Sequence, residues 1–295
     1  MPVFSAFGTE WTDSLSEQLP IAFFTKPLDG YEAAFMAETL AMAGITGFDL
    51  SVRPGGRVEP ERIEDELPGI IETGKKYGLV TEMMVSSVKM ADDASEKVLR
   101  ISARHGIRHY RLGYYNYDFS AGIRESLYRL KSDLAPLAQL NGELGIQAGY
   151  QNHSGNRVGA PVWDVWELVS GFPVQQVSAQ YDIRHAVTEG ALSWPLGLRL
   201  LGKNIGSLAI KDFTWEVRNR KAQIVSVPLG EGIVDFTQFF SLLRELNIQA
   251  PLTLHVEYPL LGKAEENLPL LQQQKIIVTK LKKDVDFVRR HINAI

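Results

Sequence analysis

Four short stretches hold the residue types that could move protons or hold a cation. The stretch AGYQNHSGN (148–156) groups Gln151, Asn152 and His153, and QYDIRHA (180–186) sets Asp182 three residues before His185. LAIKDFTW (208–215) carries Lys211 and Asp212, and LHVEYP (254–259) ends an apolar run on Glu257. A carboxylate can accept a proton, an imidazole titrates near neutrality, and an ammonium can steady developing negative charge. Each has a plainer reading. Asp182 can cap a turn or pair with Arg184, His153 can bond to loop backbone, and Lys211 with Asp212 can form a surface ion pair. His255 lies two residues before Glu257, so it shares that strand face, deeper, as a core histidine. The segment RPGGRVEP (53–60) is either a phosphate-binding loop ahead of a helix or a plain turn.

These residues must be carried to one place by the chain. One unit recurs: an amphipathic segment ends in Gly or Asn, an apolar residue follows, and a short strand-like run begins. It occurs at Gly44-Ile45, Gly78-Leu79, Gly106-Ile107, Gly145-Ile146 and Asn247-Ile248. Gly and Asn accept the left-handed conformation that ends a helix. The repetition predicts successive αβ steps and a parallel sheet. Strands centre on Ala22, Phe48, Met83, Tyr110, Ala148, Ala179, Ala209 and Leu254, the eight that close a (β/α)8 TIM barrel. An open doubly wound sheet is the alternative, but the Gly-rich fingerprint of a dinucleotide fold is missing after the first strand. A helical stripe runs from Ile123 to Leu144, with Pro136 expected to kink or interrupt it. Another, from Ile277 to Ile292, is expected to close the structure. No linker divides the chain, so 1–295 is expected to be one domain.

In a barrel the catalytic groups sit on the loops after the strands. Lys26, Arg53, Tyr114, Asn152, His153, Asp182, His185, Lys211 and Glu257 all fall there. Tyr114, with Tyr115 and Tyr117, is placed to form a wall of the mouth. The chain has no cysteine, which removes thiolate metal sites and cysteine nucleophiles. A net charge of -4 without a long basic run argues against nucleic acid as a partner. No apolar stretch is long enough to span a bilayer. The first twenty residues lack the basic start and apolar run of a signal peptide, so a cytoplasmic protein is expected, or a periplasmic one if a signal has been removed.

Taken together, in order and spacing, the four stretches resemble the sugar phosphate isomerase/epimerase family of xylose isomerase-like barrels. The resemblance implies a sugar as small-molecule substrate, proton transfer next to a carbonyl, a divalent ion (Mn, Mg, Zn or Co) and, in many relatives, a homo-oligomer. It also implies four metal ligands: a Glu or His before Asn-His, an Asp in Asp-x-x-His, a His in His-x-Lys-Asp, and a last-strand Glu. Asp182 and Glu257 match. Gln151 stands at the first position and Ala209 at the third, so two ligands of the family pattern are replaced, and the ion is either held atypically or absent. Lys211 shares the strand face of Ala209 and is expected to reach toward the vacated volume.

Glu257 is then the leading base, His185 or His153 the second proton carrier, and Lys211 the charge that steadies an enediolate. His153, Asn152, Tyr114, Arg53 and Lys26 are the expected substrate contacts. Three functions stay open: a sugar isomerase or epimerase, a keto-sugar lyase or hydratase in the same pocket, and a sugar-binding barrel without catalysis.

Overall fold

A computed structural model describes residues 20–293. The first twenty residues' reading as a non-signal segment, and both ends of the expected 1–295 domain, therefore fall largely outside the described residues. The strands are β1 (Ile21–Phe24), β2 (Gly47–Val52), β3 (Val80–Ser86), β4 (His109–Arg111), β5 (Gln147–Gln151), β6 (Val177–Asp182), β7 (Ile205–Ile210), β8 (Asp212–Arg218), β9 (Lys221–Val227) and β10 (Leu252–Leu254). The helices are α1 (Ala33–Met42), α2 (Ile63–Lys76), α3 (Asp93–Arg104), α4 (Ile123–Leu144), α5 (Val162–Val169), α6 (Ile183–Gly190), α7 (Trp194–Leu201), α8 (Phe236–Glu245) and α9 (Leu270–Asn293). Strands β1 to β7 and β10 close a parallel barrel in the order β1-β10-β7-β6-β5-β4-β3-β2. Each of the eight expected strand centres lies in one of these eight strands.

The helix ends follow from backbone conformation. Gly44, Gly78, Gly106, Gly145 and Asn247 all have positive φ, between 50° and 91°. The apolar residue after each, such as Ile45 or Ile107, is buried against the barrel. The chain thus reverses at a residue that can turn left-handed, and the next side chain fastens the strand entry to the core. Helix α4 runs through Pro136 without interruption, contrary to one expectation. Leu134 and Leu137, both fully buried, hold that stretch by packing, which outweighs one missing helix hydrogen bond.

Alternation along the strands sorts the side chains. On β2, Phe48 faces outward and touches α2 at Gly74, while Asp49 points inward to His255. On β6, Tyr181 stacks toward Phe239 of α8, and Ser178, Gln180 and Asp182 form the other row. The inward rows are polar and short, and each ends at the barrel mouth. Gln151 ends the row of β5, Asp182 that of β6 and Lys211 that of β7, while Glu257 follows Thr253 and His255 of β10. Register brings Asp182 opposite Ala209, and Ala209 opposite Thr253. No described helix is long and apolar enough to cross a membrane.

One element was not foreseen. After β7, strands β8 and β9 form an antiparallel hairpin beyond the barrel. Its turn residues Asn219 and Arg220 both have positive φ, as a two-residue hairpin turn requires. The alternation in TWEVRNRKAQIVSV was the available signal, but its turn lacks the usual glycine.

The loop after the hairpin is anchored by two buried carboxylates. Asp212 accepts hydrogen bonds from the N–H groups of Phe213, Gly230, Gly232 and Val234, at 2.8–3.2 Å. Asp212 is therefore an internal loop anchor and makes no surface ion pair. Asp284 of α9 accepts from Leu229 N at 3.0 Å and from the Tyr258 hydroxyl at 2.7 Å. Burial pushes the Asp284 carboxyl up to about 6, against the pull of those two donors. Its folded value lies above the ordinary one, so its contribution to stability is complete at low pH and is lost as pH rises through about 6. Asp284→Asn is thus expected to gain on the wild type between pH 5 and pH 8, by about 1.4 kcal/mol. Thermal unfolding of both proteins at the two pH values checks this; parallel pH dependence would contradict it.

Candidate active site

The mouth is built around a buried lysine. Lys211 is 4% exposed, and its Nζ lies 3.0 Å from Asp182 Oδ2 and 2.8 Å from Glu257 Oε1. A hairpin begins at the next residue, so β7 delivers this side chain at its very end. Asp182 is fully buried where β6 passes directly into α6, and its Oδ1 caps that helix by accepting from His185 N at 3.0 Å. Oδ2 faces the Lys211 ammonium, while the capping reading of Asp182 is met by Oδ1. Pairing with Arg184 is not: the Arg184 guanidinium reaches over to Glu257.

Glu257 keeps 39% of its side chain exposed, so a ligand can reach it. Burial alone would raise its pKa, but the Lys211 ammonium and the Arg184 guanidinium outweigh burial and hold the carboxyl at about 2. It is ionised at any physiological pH, and in the resting site it is a weak base.

Gln151 links the acidic pair to the opposite wall. Its Nε2 donates to Asp182 Oδ2 at 2.8 Å, while its Oε1 accepts from Arg111 at 3.1 Å and from the Tyr114 hydroxyl. Burial pushes the Tyr114 phenol up to about 12, so it stays a donor. The guanidinium groups of Arg111 and Arg157 lie 4.8 and 5.0 Å from the Tyr114 ring centre. Arg111 was not named from the sequence, and Arg184 only as a candidate partner of Asp182. Arg111 ends β4, a position that the strand assignment alone could have flagged.

The imidazoles complete the floor. The rings of His153 and His185 lie 3.9 Å apart, tilted by 35°, and Tyr114 meets His153 edge-on at 4.9 Å. Burial lowers both histidines below the ordinary value, His185 far below it, so both are neutral at pH 7. Asn152 is placed differently from a substrate contact. It is buried, its Oδ1 accepts from Asp182 N at 2.7 Å, and its Nδ2 donates to Asp182 O at 2.9 Å. Both ends of the amide are spent on holding Asp182 in place.

Other expected contacts spread around the rim. Arg53 lies 5.9 Å from the Phe24 ring, and Phe24 packs on His255 at 4.8 Å. Lys26 is exposed, in the turn directly after β1. Of the three tyrosines after β4, only Tyr114 faces the site. The Tyr115 hydroxyl donates to Lys89 O at 2.5 Å, and Tyr117 bonds to Asp164. The segment 53–60 is a closed turn: Gly55 N donates to Glu59, Gly56 N to Arg53 O and Arg57 N to Ser51 Oγ. Those N–H groups are spent internally, so no phosphate cradle is left there. His255 bonds to Asp49 at 3.3 Å below the mouth, as a core histidine.

The donor set does not fit a divalent ion of the family type. An ammonium already bridges the two carboxylates, Gln151 turns its N–H toward Asp182, and Ala209 has no donor atom. Among the described residues no group of three or more His, Cys, Asp or Glu stands ready to hold a metal.

A family model, the xylose isomerase-like TIM barrel, matches residues 37–274, and the chain belongs to that family. Over 79 residues it is 34% identical to a Haemophilus influenzae protein assigned as an L-ribulose-5-phosphate 3-epimerase; the match spans 27% of this chain and 27% of that relative. Among solved structures it resembles D-psicose 3-epimerase crystallised with D-fructose, with a TM-score of 0.65 and 14% identity over 93% of this chain and 100% of the other. It also resembles the D-allulose 3-epimerase of a Methylomonas species in complex with D-allulose, with a TM-score of 0.67 and 15% identity over 92% and 97% of the two chains. At such identities the structural likeness concerns the fold.

Proposed function

We propose that this barrel binds a keto sugar or sugar-derived ketone at the mouth and moves a proton at the carbon next to the carbonyl, as an isomerase or epimerase, with the Lys211 ammonium as its central positive charge. The observation that carries the reading is the placement of Lys211 Nζ within 3.0 Å of both Asp182 and Glu257. The sugars named for its relatives give the substrate class.

When the proton leaves, negative charge develops on the carbonyl oxygen. A preplaced ammonium in a partly desolvated site can stabilise that oxyanion without reorganising. Glu257 accepts the proton. At rest its charge is drawn to Lys211 and Arg184, but a substrate oxygen that claims part of the Lys211 ammonium loosens that hold and makes Glu257 more basic. Asp182 keeps Lys211 charged, and Gln151, fixed by Tyr114 and Arg111, keeps Asp182 in place. Tyr114 and His153 supply the sugar-facing wall, with Arg53 and Lys26 at the rim.

A second reading has an observation of its own. Among the described residues, Arg53, Arg111 and Arg157 have no carboxylate partner within ion-pair distance, and the Nε atoms of Arg53 and Arg111 are buried without any hydrogen-bond partner. Surplus cations favour a substrate with its own negative charge, which suits a keto-sugar acid and a lyase or hydratase step.

Incubation with ketoses, ketose phosphates and keto-sugar acids in deuterated solvent tests both. An isomerase or epimerase washes label into the carbon next to the carbonyl, and a lyase or hydratase changes the mass of its substrate. Sugars that bind without either change would mean a binding protein and would overturn the catalytic reading.

A further inference from the structure

His153 and His185 lie on different elements, yet both ring Nδ1 atoms bond to the same residue. The Nδ1 of His153 lies 2.9 Å from Ser154 O. A peptide oxygen only accepts, so this Nδ1 carries the proton and Nε2 is left with a bare lone pair. Ser154 N lies 3.1 Å from the Nδ1 of His185 and donates to it. A peptide N–H only donates, so this Nδ1 is bare and the proton sits on Nε2. The Ser154 hydroxyl, 2.9 Å from the same Nδ1, can add a second donor. The Nε2 of His185 is buried with no hydrogen-bond partner, and its nearest acidic oxygen is Asp182 Oδ2 at 3.8 Å. That oxygen already receives Lys211 and Gln151. The donor is therefore unspent, and a buried donor left unspent is costly unless a ligand meets it.

We infer that Ser154 is a positioning residue whose two peptide groups lock His185 and His153 into opposite neutral tautomers, so that the pocket holds a hydrogen-bond donor, His185 Nε2–H, beside a proton acceptor, His153 Nε2. The use of this pair rests on the proton-transfer reading above, while the tautomers themselves do not. Where the hydrogen faces His153 and not Glu257, the C–H bond next to the carbonyl breaks and its proton passes to His153 Nε2. The electron pair moves into a carbon–carbon double bond, and the carbonyl oxygen takes the negative charge. His185 hydrogen bonds to that oxygen and keeps its proton, because a neutral imidazole polarises a carbonyl as a donor and does not act as an acid. Return of the proton from His153 to carbon completes the cycle. His153 thereby supplies the second proton-carrying position that Gln151, an amide, cannot.

Two-bond 1H–15N spectra of protein labelled with 15N in its histidine rings test this at neutral pH, with His153→Gln and His185→Gln used for assignment. One ring should show a bare Nδ1 and a protonated Nε2 and vanish in H185Q; another should show the reverse and vanish in H153Q. Ser154→Ala keeps the peptide groups and should keep both patterns. The same tautomer in both rings, a doubly protonated ring, or a flipped His185 in S154A would overturn the inference. H153Q should also lower deuterium wash-in at the hydrogen that faces His153 by roughly 100-fold or more, with the His185 signature intact; wash-in there unchanged within a few-fold would remove His153 as the acceptor. Wild-type protein that exchanges no sugar at all would sink the sugar reading alone, since the spectra decide the tautomers without any substrate.

Discussion

Lys211→Met is expected to lower sugar-dependent proton exchange by about 100- to 1000-fold, the cost of removing one preorganised charge from a developing oxyanion. Methionine nearly preserves the length and apolar stem of the side chain, so the change removes the ammonium and little else. It also leaves Asp182 and Glu257 without their shared partner. Asp182 retains the His185 N–H and the Gln151 amide, and Glu257 retains Arg184. The loss of stability should therefore fall at or below the roughly 3–5 kcal/mol of a fully broken buried pair. Lys211→Arg should not restore the rate, because a planar fork cannot replace a compact point charge between two carboxylates. Wild-type protein treated with a chelator should keep its exchange activity, and elemental analysis should find no stoichiometric Mn, Mg, Zn or Co. K211M that still exchanges label at close to the wild-type rate would remove Lys211 from the chemistry.

That lysine also marks how far the sequence could be read. The left-handed residues Gly44, Gly78, Gly106, Gly145 and Asn247 were legible because a helix end constrains residue type locally. The rows ending at Gln151, Asp182, Lys211 and Glu257 were legible because strand alternation has a fixed period. What each charge would pair with was not. Arg184 adjoins Asp182 in sequence but pairs with Glu257, 73 positions away, because β6 turns straight into α6 and carries the guanidinium across the mouth. Asn152 is a polar residue at a strand end, the usual mark of a substrate contact, yet both ends of its amide go to the backbone of Asp182. The tautomers of the histidines depend on the path of one loop peptide, for which residue types hold no signal.

Restoring the missing donors should convert the site. In the combined variant Gln151→Glu, Ala209→His, Lys211→Ala, two donors return and four stand together: carboxylates at 151, 182 and 257, and an imidazole at 209. The register supports this, since position 209 is paired with Asp182 on one side and with Thr253 on the other. Lys211→Ala is indispensable, because the ammonium holds both native carboxylates and its removal frees the space a histidine at 209 needs. Lys211→Ala alone is insufficient, because Ala209 contributes no donor and Gln151 presents its N–H to Asp182. Arg111, now bonded to Gln151, will pair with a glutamate there, and Arg184 still competes for Glu257, so the gain is smaller than in an unencumbered site. Binding of Mn or Co is nonetheless expected to tighten on the order of 100-fold or more over wild type, since single changes around a metal are typically worth about 10- to 100-fold each. Isothermal titration with each ion, on protein whose circular dichroism matches wild type, measures the difference. Wild-type protein that binds Mn or Co as tightly as the combined variant would show that Lys211 does not exclude the ion. The proposal that an ammonium stands where relatives of this fold hold a metal would then fail at its physical root.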